Sequence, residues 1–431
     1  MESDNDSVSS IASDERARHE SESSEEDIYE QFNRNLQPAK DNNPNVTELL
    51  GRGDNERIKN FTDEEWVETG LALSKNTHLD TLQFGRNALN DHKMSLLFRG
   101  LTISRSIKNL YLHENGLKTG IESMLPFLQN ASNLVTLDLD GNSIQSEEFN
   151  FLLVALCDSP VKELHCCGCN IESIQIDNAR YPTKLKDLRL FENRINEDGC
   201  RGLAKLLQMP DCALKNLSLG NNNIDDAGVA LFANALQYNT TLTALYLYGN
   251  KGISKEGNIM MLKLVNDISS VKATLQSNHT LHTIYLDNGD YDDIMVQNQM
   301  NEFTTINAEY SNNAEAAGKE KMIRFQLHSD RRSALAELQK VHQSVYSEIS
   351  PIYLPELLSL VGPSHGQGEL FAAVKSSIAV LMSIVNRKKR IKVARDYFLA
   401  RAEQLTAEPA AIGTEEGNEI DESHRSKRRK E

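Results

Sequence analysis

Three thiols stand within four residues at Cys166-Cys167-Gly168-Cys169. Thiolates so closely spaced are common zinc ligands, but a structural zinc site needs a fourth ligand at suitable spacing. No fourth ligand is evident in the sequence. Cys166 and Cys169 also occupy positions that neighbouring segments fill with leucine and asparagine. The motif therefore reads as part of a repeat, and neither a metal nor a cofactor is expected. A second polar group is Asp138, Asp140 and His165, residue types that can move protons. No nucleophile elbow, phosphate loop or metal motif accompanies them. Gly366-Gln367-Gly368 lacks the Gly and Lys that would complete a phosphate loop. No catalytic residues are assigned, and the chain is expected to bind rather than to catalyse.

The elements that would hold these side chains come from a repeat. The pattern L-x-x-L-x-L-x-x-N-x-L occurs as Leu79, Leu82, Phe84, Asn87, Leu89, and as Ile107, Leu110, Leu112, Asn115, Leu117. It returns as Leu134, Leu137, Leu139, Asn142, Ile144, and in variant form as Val161, Leu164, Cys166, Cys169, Ile171. Further copies are Leu185, Leu188, Leu190, Asn193, Ile195, and Leu214, Leu217, Leu219, Asn222, Ile224. Leu242, Leu245, Leu247, Asn250, Ile253 follow with one extra residue, and Leu281, Ile284, Leu286 begin a copy that decays. Alternating apolar residues predict a short strand with one buried face. The asparagine then enters a turn, where its carboxamide can serve backbone groups that the turn leaves without partners. A small buried cysteine can fill the same slot.

Helical stretches follow the turns over about 91–103, 119–129, 146–157, 196–208 and 225–237, with acidic residues near their starts. After the fourth copy, IESIQIDNARYP predicts irregular chain in place of a helix. The seventh carries an insertion over about 255–277 that lengthens or doubles its helix. Eight strands are expected between Leu79 and Leu286. Residues 46–75, with Trp66 and a helix from about Thr62, read as an N-terminal cap. The predicted organisation is a disordered acidic tail over 1–44, a repeat domain over 45–289 and a polar linker or cap over 290–325. A helical region over 326–405 and a disordered tail over 406–431 with a basic end complete it.

These copies resemble leucine-rich repeats of the ribonuclease-inhibitor-like class, including cytosolic repeat proteins of algae and other protists. The resemblance covers roughly half of the chain. It implies an α/β solenoid, or horseshoe, with parallel strands on the concave face and helices on the convex face. It also implies a role in binding, not an activity. The class includes Ran GTPase-activating proteins, which have acidic segments and act through surface residues near the first repeats. Regulation of a small GTPase is accordingly the alternative to a binding scaffold. Arg86 is the nearest candidate for such a residue, although it matches no family motif, and the strongest acidic stretch here precedes the repeats rather than following them.

Within such a solenoid, residues between the leucines face the concavity. Two rows result, from which the partner-binding candidates are Tyr111, His113, Asp138, Asp140, His165, Arg189, Phe191, Tyr246, Tyr248 and Tyr285. Tyr and Arg are enriched at interface hot spots. Strands also favour aromatic residues on a half-exposed face without any partner, and both explanations stand at this level. The formal charge of −16 argues against sequence-independent nucleic-acid binding and favours a basic protein partner. No apolar run approaches the roughly 18 residues of a membrane span, and no apolar signal core opens the chain. Cytoplasmic residence is expected. The basic runs Arg387–Arg390 and Arg425–Lys430 are candidate nuclear-import signals, the first of them equally a solvated helix face.

Overall fold

The structure, a computed structural model, describes residues 25–53, 55–269, 271–286, 291–311 and 313–327. Of the helical region expected over 326–405, only 326–327 falls within these residues. The C-terminal tail and both basic runs lie outside the described residues, as do residues 1–24 of the acidic tail.

The chain opens with α1 (Glu25–Lys40), β1 (Glu48–Leu50), the single-turn α2 (Glu56–Lys59) and α3 (Asp63–Lys75). Strand and helix then alternate: β2 (Thr81–Gln83), α4 (Asp91–Leu101), β3 (Asn109–Tyr111), α5 (Ile121–Asn130), β4 (Thr136–Asp138), α6 (Ser146–Ala155) and β5 (Glu163–His165). Next come β6 (Asp187–Arg189), α7 (Glu197–Leu207), β7 (Asn216–Ser218), α8 (Asp226–Leu236), β8 (Ala244–Tyr246), α9 (Lys255–Val265), α10 (Val271–Leu275) and β9 (Thr283–Tyr285). The last two described elements are α11 (Tyr291–Glu309) and α12 (Ala314–Leu327).

The nine strands form one parallel sheet in chain order. The conserved geometry of each copy sets its register, with Leu82, Leu110, Leu137, Leu164, Leu188, Leu217, Leu245 and Ile284 all paired in line. These side chains are fully buried. Helices pack on one another in order, α3 on α4, α4 on α5, α5 on α6, α7 on α8, and α8 on α9. No helix connects β5 to β6, as the sequence predicts. The extended segment there buries Ile171, Ile174 and Ile176. Gly202 of α7 lies directly against the Ile174 carbonyl, where any Cβ would collide with it. The seventh copy does carry two helices, α9 and α10.

Buried asparagines link the repeats. The Asn115 carboxamide donates to Phe84 O of the preceding repeat and to Leu112 O of its own, each at 2.9 Å. Its Oδ1 accepts from the backbone N–H of Asn87 and Leu89 at 3.0 and 3.1 Å. The same four bonds recur at Asn142 and at Asn250. Cys169 stands in the series as expected, its thiol 3.7 Å from Leu139 O and Cys167 O. A second set, Asn76, Asn239 and Asn278, does the same work in loops that lead into β2, β8 and β9.

Two expectations are corrected. The acidic tail is not irregular as far as residue 44, because 25–40 form α1. Phe32 on α1 is fully buried and meets Phe84 edge-on, with ring centroids 6.1 Å apart. The cap contributes a ninth strand, β1, which pairs with β2 from Glu48 to Leu50. Within the segment read as linker or cap, residues 291–309 form a helix, as do 314–327. They serve as the C-terminal cap: α11 buries Val296, Met300, Phe303 and Ile306. Its Gln297 side chain donates to Ile284 O and accepts from Leu286 N–H, covering the edge of β9.

In that cap the Lys321 ammonium is buried, donating to Val265 O at 2.6 Å and to Asn278 O at 3.3 Å. It lies 3.1 Å from His279 Nδ1, while His279 Nε2 faces Leu275 O at 3.3 Å. Burial pushes Lys321 down to about 7. Burial, with the charge of Lys321, pushes His279 down to about 4.

Two outcomes follow. Asn222→Ala removes donors to Leu190 O, Leu219 O and Gly220 O and the acceptor for Ile195 N–H. It should cost about 2–4 kcal/mol in urea unfolding. The neutral imidazole of His279 is the folded form, so protons bind the unfolded chain first. The contribution of His279 is therefore complete above about pH 6.5, is lost progressively as pH falls from there, and is gone below about pH 4. The loss is about 3 kcal/mol at most. Urea midpoints at pH 7 and pH 4.5 should separate less in His279→Gln than in the native chain.

Candidate partner-binding face

The first row runs in register across the sheet as Gln83, Tyr111, Asp138, His165, Arg189, Ser218, Tyr246 and Tyr285. The second row, including His113, Asp140, Phe191 and Tyr248, lies just past the strand ends. Backbone bonds such as Glu114 N–H to Asp140 O and Gly168 N–H to Phe191 O carry the ladder through it. All ten candidate residues are half-buried. At about 4.8 Å per strand the nine strands span about 38 Å.

The face divides into two chemistries. Toward β9 it is aromatic. Tyr246 and Tyr285 stack with centroids 6.0 Å apart and planes 17° from parallel. Phe191 and Tyr248 meet at 5.5 Å across Gly220, where a Cβ would lie 2.9 Å from both rings. Gly220 stands in the second row and makes that meeting possible, a spacer role that composition alone does not reveal.

Toward β3 the face is charged. His113 Nδ1 is 3.5 Å from Asp138 Oδ2, close enough for an ion pair and long for a hydrogen bond. Asp138 Oδ1 accepts from Asp140 N–H at 2.9 Å, and Asp140 Oδ1 accepts from Cys167 N–H at 2.5 Å. The two carboxyls separate electrostatically. Burial raises Asp138, but His113 and the Asp140 amide outweigh it and leave Asp138 below the ordinary carboxylate value. Burial and the charge of Asp138 together lift Asp140 above it. Burial, Asp138 and Glu163 raise the Tyr111 phenol. Glu163, half-buried on β5, accepts from Thr136 Oγ1 at 3.0 Å, so it adds negative charge that the two-row reading omits. Arg189 donates to Asp187 at 3.3 Å on its own strand.

Burial raises the thiols of Cys166, Cys167 and Cys169, with Cys169 pushed up to about 12. That is the reverse of what thiolate ligation needs. Arg86, with φ +59°, is held by two 2.8 Å bonds to the carboxylate of Glu114. Its guanidinium faces the neighbouring repeat.

A family profile described as a leucine-rich repeat matches residues 212–233. Human NACHT, LRR and PYD domains-containing protein 5 is 28% identical over 210 residues, which is 47% of this chain and 17% of that protein. Mouse ribonuclease inhibitor is 25% identical over 232 residues, 50% of this chain and 48% of that protein. The chain thus matches less than half the length of either relative. Among solved structures, a TLR13–ssRNA13 complex gives a TM-score of 0.32 at 17% identity, covering 57% of this chain and 36% of that one. No helix among the described residues is long and apolar enough to cross a membrane. The matched profile and relatives agree with the asparagine-linked strands: the chain folds as a leucine-rich-repeat solenoid and is similar to ribonuclease-inhibitor-like proteins.

Proposed function

We propose that the chain is a protein-binding repeat module that seats a partner protein on the two rows of its strand face and has no catalysis of its own. The observation that carries this reading is the preorganised aromatic end. Tyr246 on Tyr285 and Phe191 on Tyr248 present four half-buried rings on a sheet whose register holds them in place. Rings held in advance lose little conformational entropy on binding, which is why Tyr is effective at interfaces. A relative whose name is ribonuclease inhibitor, by that name, acts on a protein, which supports the same reading. The charged end, with Asp138, Asp140 and Glu163, fits a basic patch on the partner, as does the net charge of −16. The GTPase-regulator alternative draws no support from Arg86, whose guanidinium is engaged by Glu114.

The full-length chain used as bait, beside Tyr246→Ala/Tyr248→Ala, tests the reading. A protein held by the native chain should be lost by tenfold or more in the variant. Equal capture by a variant with native circular dichroism would sink the proposal. Gly220→Val should give a similar loss by parting Phe191 from Tyr248, while the net charge stays unchanged. Addition of the chain to Ran and GTP should leave the hydrolysis rate unaltered.

A further inference from the structure

One group on the strand face converges more closely than a partner surface requires. Asp138 on β4, Asp140 in the turn after it and His165 on β5 each offer one ligand atom, and those atoms lie within 4.8 Å of one another. The residues come from two adjacent repeats, so folding assembles the group. Backbone amides anchor both carboxylates, the Asp140 N–H on Asp138 and the Cys167 N–H on Asp140. Lone pairs remain on each carboxylate beyond those bonds. His165 Nε2 is buried and has no hydrogen-bond partner among the described residues. In the tautomer protonated on Nδ1, that nitrogen offers its lone pair to a ligand. Two carboxylates at this distance repel unless a proton or a cation lies between them.

We propose that Asp138, Asp140 and His165 bind one divalent cation of the zinc class. Two carboxylate oxygens and one imidazole nitrogen form a mixed set of donors. Calcium and magnesium take oxygen ligands, whereas zinc takes both kinds. Three protein ligands leave a fourth position open for water. Ligand atoms about 2.1 Å from a tetrahedral zinc are about 3.4 Å apart, so binding needs side-chain rotations of about an ångström. His113, 3.5 Å from Asp138 on the side of β3, orients that carboxylate as outer partners of metal sites do. Arg189 on β6 directs its Nε to Asp187. The thiols of Cys166 and Cys169 are buried and take no part.

Metal binding stands or falls separately from partner binding, because the probe is zinc alone. Tag-free, metal-free full-length protein is titrated with Zn²⁺ by calorimetry at pH 7.5. One equivalent should bind, raising the Tm, and Asp138→Asn/His165→Gln should bind at least tenfold more weakly, with no rise in Tm. Cys157→Ala should bind as the native chain does. Absence of saturable binding to the native chain, or undiminished binding to a folded double variant, would overturn the proposal. Should the double variant fail to fold, Co²⁺ added to the native chain decides. Visible d–d bands without a thiolate-to-cobalt charge-transfer band support the carboxylate–imidazole site, and a thiolate band overturns it.

Discussion

Each strand of this sheet runs into a turn that leaves its backbone amides and carbonyls without ladder partners in a dry interior. An unpaired buried peptide group costs as much as a lost hydrogen bond, so a run of such turns could not be stable without a remedy. The remedy in six of the repeats is a carboxamide that both donates and accepts, as at Asn115, Asn142 and Asn250. Because each carboxamide bonds one carbonyl of the preceding repeat and one of its own, it does more than satisfy a turn. It fixes the step between repeats, and with it the register in which the surface rows line up. The leucines supply the free energy of stacking. The asparagines determine where the stack can settle.

Cys169 shows how far the arrangement tolerates departure. Its sulfur approaches the same preceding-repeat carbonyl, Leu139 O, but at 3.7 Å and as a weak donor. That is also where the connecting helix is absent. The reading of Cys166-Cys167-Gly168-Cys169 as repeat rather than metal site rests on this substitution, and the raised thiols agree with it.

The strands, their register and both rows of surface residues were legible because period-two alternation leaves a short strand no other way to bury its leucines. The caps were not. In α1 the apolar side chains Phe32 and Leu36 sit a helical turn apart but are diluted by acidic and amide residues, so composition reads as disorder. In α11, Val296, Met300, Phe303 and Ile306 keep helical spacing inside an equally polar segment. Strand β1 has Leu49 but no asparagine at the spacing that follows six of the other strands. The grouping of Asp138, Asp140 and His165 was legible, but the closeness of Asp140 to His165 was not. They belong to different rows on different strands, and only the backbone path past the end of β4 brings them together.

Between β5 and β6 the sheet continues while the helical layer is replaced by extended chain packed against Gly202. A repeat array is held together by its nearest-neighbour interfaces, and here one interface has lost a whole layer of contact. Cooperativity along the stack is therefore uneven. The block of repeats before residue 170 and the block after 185 belong to one compact unit and are joined by strand pairing, Ile171, Ile174 and Ile176. Amide exchange in the linking segment would report a local opening that neither block needs to share. The charged part of the strand face lies over one block and the aromatic part over the other, so this weak joint is also the boundary between the two chemistries.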